Sequence, residues 1–454
     1  MSTFHRRTAI AVPASQLEQW HYRTGAFERL TPPWENARII QEPESITDGS
    51  QAIVELKQGP FWRRWIAEHR DCKPGESFTD VQLKGPFAAW THCHRFLKES
   101  GQNCALEDDI QYRLPLHPLG QWFGDWFVRR KLTSMFSYRH ALTKSDLERA
   151  ASEPETPPMT IVVTGATGMI GRALLPYLRM RGHTVLRITR RPHLPDDIAW
   201  DIQKGTLTLP ERQIDAAIHL AGENVAGGRW NEARKTRLME SRRLGTRLLC
   251  KALAEHSNRP KVLISASGSN YYASNTSIIH DESSPRGDDF LSKVCEVWEQ
   301  ETQAAADAGI RVARLRLGVV LSASGGALGK MLLPFQLGGG GRLGRGTQRM
   351  PWIALDDAID IMTRALGDER YTGPINTVAP EAVTNREFTQ ALANTLRRPA
   401  LFPIPAIAIK ALFGEMGEAT LLGDIALKPA RLQALGYCFR HPEIRAALAY
   451  TLGR

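Results

Sequence analysis

The sequence predicts an α/β protein, a doubly wound parallel sheet from Met159 onward, preceded by a smaller α+β unit. Three observations predict this. At residues 159–171 a β-branched run, 161–163, meets Thr164 and glycines at 165, 168 and 171, and Ala173, Leu174 and Leu175 follow at helical spacing. Downstream, short apolar runs alternate with long helical stretches. Upstream, residues 1–150 are rich in aromatics and alternate strand-like runs with turn signals.

A chain of 454 residues exceeds one ordinary core, so two or three domains are expected. Its 42% hydrophobic and 23% charged residues are those of a globular protein. No run of about 18 apolar residues predicts a membrane span, and the first 15 residues lack the apolar core of a signal peptide. Six cysteines without a C-x-x-C pair predict reduced thiols and a cytoplasmic protein. The net charge of +10 is spread through every segment with no long Lys/Arg block. That distribution favours a small anionic ligand over nucleic acid.

In the N-terminal third, residues 4–12 predict a strand, and residues 15–30 predict a helix stopped by Pro32-Pro33. Short strands follow over 37–114, punctuated by Asp48-Gly49, Gly59-Pro60, Pro74-Gly75 and Gly85-Pro86. Leu119, Trp122, Phe123, Trp126 and Phe127 then form an apolar stripe on a long helix. This order describes a helix-grip domain over residues 1–142. His92 and His94 share one face of a strand while Cys93 points away. With no further ligand pair evident, no metal is expected. Residues 143–158, TKSDLERAASEPETPP, are polar and proline-ended, as an interdomain linker would be.

The second domain spans 159–454. Gly165 permits the tight turn, Gly168 a close approach of backbone to a pyrophosphate, and Gly171 the packing of helix on strand. Thr167, Met169 and Ile170 belong to the same turn, which places a diphosphate at a helix N-terminus. The second strand, 184–189, is followed by Arg190 and Arg191 rather than by a carboxylate. Two guanidiniums suit a ribose 2′-phosphate, so the expected cofactor is NADP(H). Residues 215–222 predict another buried strand that delivers Leu220, Ala221 and Gly222 to the ligand edge. A helix over 232–255, a strand over 261–265, a helix over 290–308 and a strand over 312–321 complete the alternation. The glycine-rich stretch 337–349 carries Arg342, Arg345 and Arg349, which either meet an anionic substrate or face water. Thr384 and Glu387 predict a capping box.

Two resemblances add to this. The segment GAFERLTPPW at 25–34 resembles the opening of one branch of the START-like superfamily. That resemblance implies a cavity between sheet and helix for a hydrophobic ligand; a filled aromatic core is the alternative. T-G-A-T-G-M-I-G at 164–171, D-A-A-I-H-L-A-G at 215–222, S-A-S at 265–267 and W-I-A-L-D-D at 352–357 together resemble an extended short-chain dehydrogenase/reductase, a Rossmann-type fold. The closer likeness is to its YfcH-like, sugar-nucleotide-epimerase-like branch, through Gly228-Arg229-Trp230, Ser241-Arg242, Trp298-Glu299 and the tail residues Arg431-Leu432, Leu435-Gly436-Tyr437 and Phe439-Arg440. The resemblance implies a substrate lobe closed by the tail, about 400–454.

It also implies a catalytic Tyr four residues before a Lys, with a Ser on the preceding strand end. Ser267 and Lys293 match, but Asp289 stands where the Tyr belongs. An aspartate, with a reference pKa near 3.9, is a poor proton donor at neutral pH. Tyr271 or Tyr272 supplies a phenol from another direction, or both pack over the pocket. The expected function is therefore an NADP(H)-dependent oxidoreductase or epimerase of atypical mechanism. The alternatives are a nucleotide-gated binding protein without turnover, or a hydrophobic-ligand carrier acting through the first domain.

Overall fold

The computed structural model describes residues 1–43, 45–115, 119–154 and 156–454. It has two compact units: Met1–Pro157 with Arg179–Arg181 and Gly453–Arg454, and Pro158–Leu178 with Gly182–Leu452.

The first unit opens with β1 (Ser2–Ile10), α1 (Ala14–Tyr22) and α2 (Ala26–Leu30). The expected single helix over 15–30 is thus two, because Gly25, at φ 93°, takes a left-handed conformation between them. Strands β2 (Ala37–Gln41), β3 (Gln51–Gln58), β4 (Phe61–Lys73), β5 (Ser77–Lys84), β6 (Ala89–Lys98) and β7 (Cys104–Arg113) follow. They form one seven-stranded sheet in the order β1-β7-β6-β5-β4-β3-β2. Three turn glycines read from the sequence, Gly49, Gly59 and Gly75, have φ of 85°, 60° and 80°.

The closing helix α3 (Leu119–Ser152) runs through most of the expected linker. Leu142, Thr143, Asp146 and Leu147 are buried there, and Asp146 accepts from Arg29 Nε at 2.9 Å and Nη2 at 3.1 Å. A polar composition concealed that face because its buried carboxylate is paired. Glu155 of the expected linker lies outside the described residues. Trp126 and Phe127 of the expected stripe are exposed, and Leu132 and Phe136 carry the buried face instead. The side chains of Leu119, Trp122 and Phe123 lie outside the described set. Phe4, Trp65, Phe87, Trp90, Tyr112 and Phe136 pack on one another, with Trp65 and Trp90 edge to face at 5.1 Å.

The second unit begins with β8 (Thr160–Thr164), α4 (Met169–Met180), β9 (Thr184–Thr189), β10 (Ile198–Asp201), β11 (Thr206–Leu207), β12 (Ala216–His219) and α5 (Glu232–Glu255). β13 (Val262–Gly268), β14 (Ile279–His280), α6 (Phe290–Gln300), α7 (Gln303–Asp307) and β15 (Arg311–Leu317) come next. Then follow β16 (Val319–Leu321), α8 (Gly326–Gln336), β17 (Arg349–Met350), β18 (Trp352–Ala354), α9 (Leu355–Gly367) and β19 (Gly373–Thr377). The main sheet has the order β11-β10-β9-β8-β12-β13-β15-β19, parallel except at β11.

Both faces are covered, which explains the unbroken apolar runs of its strands. Ile161, Val163, Ile218 and Ile264 face Leu174 and Leu178 of α4 and Ile359 and Met362 of α9. Their neighbours Val162, Ala217 and Leu263 face Leu249 and Leu253 of α5. The expected strand over 312–321 divides at Gly318, where a Cβ would come within 2.9 Å of the Pro351 backbone. Past Gly318 the chain pairs with β18 instead.

β20 (Val383–Thr384) and α10 (Asn385–Leu396) follow, and the tail consists of α11 (Ala406–Leu421), β21 (Ala426–Leu427), α12 (Ala430–Ala434) and α13 (Ile444–Leu452). The expected capping box is formed: Thr384 Oγ1 accepts from Glu387 N at 3.2 Å, and Glu387 Oε2 accepts from Thr384 N at 2.8 Å. Among the described residues, no helix is long and apolar enough to cross a membrane.

Candidate nucleotide site

The chain turns one way from β8 through β9 to β10, then returns to place β12 on the other side of β8. The loops that leave β8 and β12 therefore diverge, and the crevice between them is where such sheets bind ligands. Gly165 makes the turn with φ 71°, and a Cβ there would sit 2.7 Å from the Leu220 carbonyl carbon. Only glycine fits that conformation and that approach. A Cβ on Gly171 would collide with Gly165 O and lie 2.7 Å from Ala166 Cα, so α4 packs directly on the turn. The first N–H groups of α4 have no acceptor inside the helix and open on the crevice. Thr167 and Gly168 are exposed there, and Met169 and Ile170 are half-buried.

A buried polar chain holds the two loops together. Thr164 Oγ1 accepts from the N–H groups of Leu220 and Ala221, both at 3.2 Å. Its own proton then goes to His219 Nδ1 at 2.7 Å, which leaves His219 Nε2 to donate to Thr246 Oγ1 on α5 at 2.9 Å. Burial, with a smaller push from Arg242, lowers the His219 pKa from 6.5 to about 4. The ring is therefore neutral in the folded protein. The unfolded chain takes up a proton near pH 6.5 and the native one only near pH 4, so stability falls as pH drops through that window. Acidification from pH 7 to 4 is expected to cost about 3 kcal/mol through this residue. Urea unfolding at several pH values should show a flatter acid limb in His219→Gln; an unchanged limb would exclude His219 as its source.

Beyond this chain, Gly222 faces the Arg242 guanidinium, 3.3 Å from where its Cβ would be. Arg242 is buried and donates to Leu238 O at 3.0 Å and Glu223 O at 3.1 Å, with its guanidinium 4.7 Å from the Trp298 ring centre. At the end of β9, Arg190 and Arg191 are exposed. Neither guanidinium has a hydrogen-bond or ion-pair partner among the described residues. Their loop is held by Asp197, which takes a bidentate pair from Arg187 at 2.7 Å. Asp197 also accepts from the N–H groups of His193 and Leu194.

The residues expected to do chemistry are not joined. Ser267 is buried and donates to Glu299 Oε1 at 2.8 Å. Glu299 is held by Arg316 through two contacts of 2.8 Å, and Arg316 Nη1 donates to Tyr272 Oη at 2.8 Å. Tyr272 in turn donates to Asn376 Oδ1 at 2.7 Å. Strand register makes this row, since Ser267 pairs with Arg316 and Arg316 with Asn376 across β13, β15 and β19. Burial pushes the Tyr272 phenol up to about 12, so it is a poor proton donor at neutral pH. Tyr271 lies under the Arg316 guanidinium, 3.4 Å from the ring centre. Lys293 is exposed. No hydrogen bond connects Ser267, Tyr271 and Lys293 among the described residues.

Asp289 has a different task from the phenol it displaces. It is the N-cap of α6, and its Oδ1 accepts from Ser292 N at 2.8 Å and Ser292 Oγ at 3.0 Å. Of the three arginines in the glycine-rich stretch, Arg345 is exposed and the other two are engaged. Arg349 is held bidentate by Asp424 at 2.9 Å and donates to Thr276 O. Arg342 donates to Arg345 O, and backbone bonds between Arg342, Gly344 and Ile404 fasten the loop to the tail.

A model of the NAD dependent epimerase/dehydratase family matches residues 161–376, and a domain of unknown function, DUF1731, matches 404–451. Human epimerase family protein SDR39U1 is 41% identical over 293 residues, 64% of this chain and 98% of the human one. The chain belongs to the epimerase family. Epimerase family protein MT2273 of Mycobacterium tuberculosis is 38% identical over 297 residues, 65% of this chain and 98% of its own. Among solved structures, a nucleoside-diphosphate sugar epimerase from Corynebacterium glutamicum covers 99% of this chain and 90% of its own, with 33% identity and a TM-score of 0.82. That likeness includes the first unit. Human SDR39U1 isoform 2, solved with NADPH, covers 64% of this chain and 98% of its own at 40% identity and a TM-score of 0.60.

In this epimerase-family chain the glycine turn and the sheet were legible beforehand. The polar chain through Thr164, His219 and Thr246 was not read, although a histidine inside the apolar run AAIHLAG was a signal that a buried partner awaited it. Glu299 and Arg316 gave no sequence signal as a pair, because only the register brings them together.

Proposed function

We propose that this epimerase-family protein binds NADP(H) in the crevice between β8 and β12 and acts on a small anionic substrate, such as a sugar nucleotide, as an oxidoreductase or epimerase. The observation that carries the cofactor choice is the exposed, unpartnered pair Arg190 and Arg191 at the end of β9. A carboxylate there would favour a ribose hydroxyl, whereas two guanidiniums favour a 2′-phosphate. The human relative solved with NADPH supports the same choice. Titration by fluorescence should show NADPH binding well ahead of NADH. Replacing both arginines by serine should weaken NADPH about 10- to 100-fold while moving NADH about twofold at most. Equal affinities in the parent protein would remove the claim.

Capping of α6 by Asp289 favours a second reading, a nucleotide-gated binding protein without turnover. Tight NADPH binding without oxidation across carbonyl and sugar-nucleotide panels would support it. Turnover that fails in Ser267→Ala or Lys293→Ala would instead support the enzymatic reading.

A further inference from the structure

We propose that the first unit holds a divalent transition-metal ion of the zinc class on Asp80, His92 and His94. The sequence offered only the two histidines. The sheet supplies the third ligand, because Asp80 of β5 pairs with His92 of β6 and so shares its face. One ligand atom from each of the three lies within 4.8 Å of the others. Asp80 Oδ2 is 3.3 Å from His94 Nε2 and 3.9 Å from His92 Nδ1. Ligands bound tetrahedrally at about 2.0–2.1 Å stand roughly 3.3 Å apart, so the Asp80–His94 edge already has that length and the Asp80–His92 edge shortens as the ion binds.

What distinguishes this cluster from an ordinary ion pair is the surrounding set of bonds. The opposite nitrogens, His92 Nε2 and His94 Nδ1, lie 2.8 and 2.7 Å from the same oxygen, Asp108 Oδ1. Asp108 comes from β7, directly across from His94, and its other oxygen is 2.6 Å from His140 Nε2. The second oxygen of Asp80 is 3.1 Å from His69 Nε2, and His69 Nδ1 is 2.8 Å from Ser50 Oγ. His92 and Asp80 are thus oriented from behind, His92 in the carboxylate–histidine–metal pattern that fixes a ring tautomer, while His94 Nδ1 lies close to Asp108 without hydrogen-bond geometry.

With its Nε2 proton on Asp108, His92 aims its Nδ1 lone pair toward Asp80, whereas His94 Nε2 is hydrogen-bonded to Asp80 Oδ2. A cation displaces the proton on that bond. It also balances two carboxylates in a place where His92 and Asp108 side chains are 4% and 3% exposed. The nearby guanidiniums make no hydrogen bond to the two carboxylates, Arg6 bonding Ser137 Oγ and Arg139 Leu30 O, although the charges of both are felt at Asp108. Asp80 is the most open member, at 22% side-chain exposure, so the ion enters and any fourth ligand binds from its side. Two imidazoles and a carboxylate suit zinc, iron, nickel or copper over magnesium or calcium.

Chelator-treated full-length protein, titrated with Co(II) and separately with Zn(II), should bind one equivalent of either. Co(II) should give visible ligand-field absorption, and Zn(II) should raise the unfolding temperature. His92→Ala and Asp80→Ala should abolish the Co(II) spectrum, Asp108→Asn should weaken Co(II) about 10- to 100-fold, and Cys93→Ala should leave it intact. X-ray absorption of the Zn(II)-loaded parent requires no variant and should show nitrogen and oxygen scatterers near 2.0 Å. No stoichiometric uptake by the parent would overturn the proposal. The cluster would then be a metal-free network in which a His94 imidazolium bridges both carboxylates. A Co(II) spectrum that survives in both alanine variants, or sulfur in the zinc shell, would also overturn it.

Discussion

Glu299→Gln is expected to destabilise the second unit by about 3–5 kcal/mol, the range for removing one member of a buried ion pair. The cost comes from what remains. Arg316 is 4% exposed and keeps its charge, while the neutral amide offers one acceptor where the carboxylate offered two. Burial alone would lower the Arg316 pKa, and the bidentate Glu299 outweighs it and raises it, which marks how strongly the pair is coupled. Ser267 and Arg316 are then left to compete for the single amide oxygen. Urea unfolding measures the loss, and Glu299→Leu combined with Arg316→Met should restore much of it, because that pair leaves no charge behind. A single-variant cost below about 1 kcal/mol would mean that water screens the pair.

Asp357→Ala is expected to release the C-terminal tail. This carboxylate opens α9 and is fully buried. Its Oδ1 accepts from Arg440 N at 2.7 Å and Tyr437 Oη at 3.0 Å, and its Oδ2 accepts from His441 N at 3.0 Å. Burial pushes its pKa up against those N–H groups, which work to keep it ionised. Removing it strands two backbone donors that cannot turn away, at about 1–3 kcal/mol each. Limited trypsin digestion should then cut the variant rapidly after Arg431 or Arg440, whereas the parent resists. Equal digestion of the two proteins would show that packing of α13 on α10 holds the tail without the carboxylate.

The parts read correctly from sequence are those governed by local rules. A β-branched run followed by Gly165 and Gly171 makes a tight turn on which a helix packs closely, and Thr384 with Glu387 closes its box within four residues. The parts missed depend on partners far along the chain. Residues 143–152 are polar by composition, yet their helix continues because Asp146 finds Arg29 more than a hundred residues earlier. Asp80 becomes a candidate ligand only when β5 and β6 adopt their register. Asp289 stands in the sequence where the resemblance implies a phenol. Its task as a cap was hidden, because the i,i+4 rule assumes a helix already under way at that position.

That cap limits how this chain can change. Because α6 starts at Phe290, the residue at 289 has extended backbone and turns its side chain back toward Ser292. A tyrosine substituted there would not inherit the helical spacing to Lys293 that proton transfer requires, and the helix would lose a bond worth about 1 kcal/mol. Acquiring that chemistry would take an earlier helix start and a new cap upstream, at least two coordinated changes. A single substitution to tyrosine leads only to a weaker helix, so this chain does not reach a Tyr–Lys pair in one step.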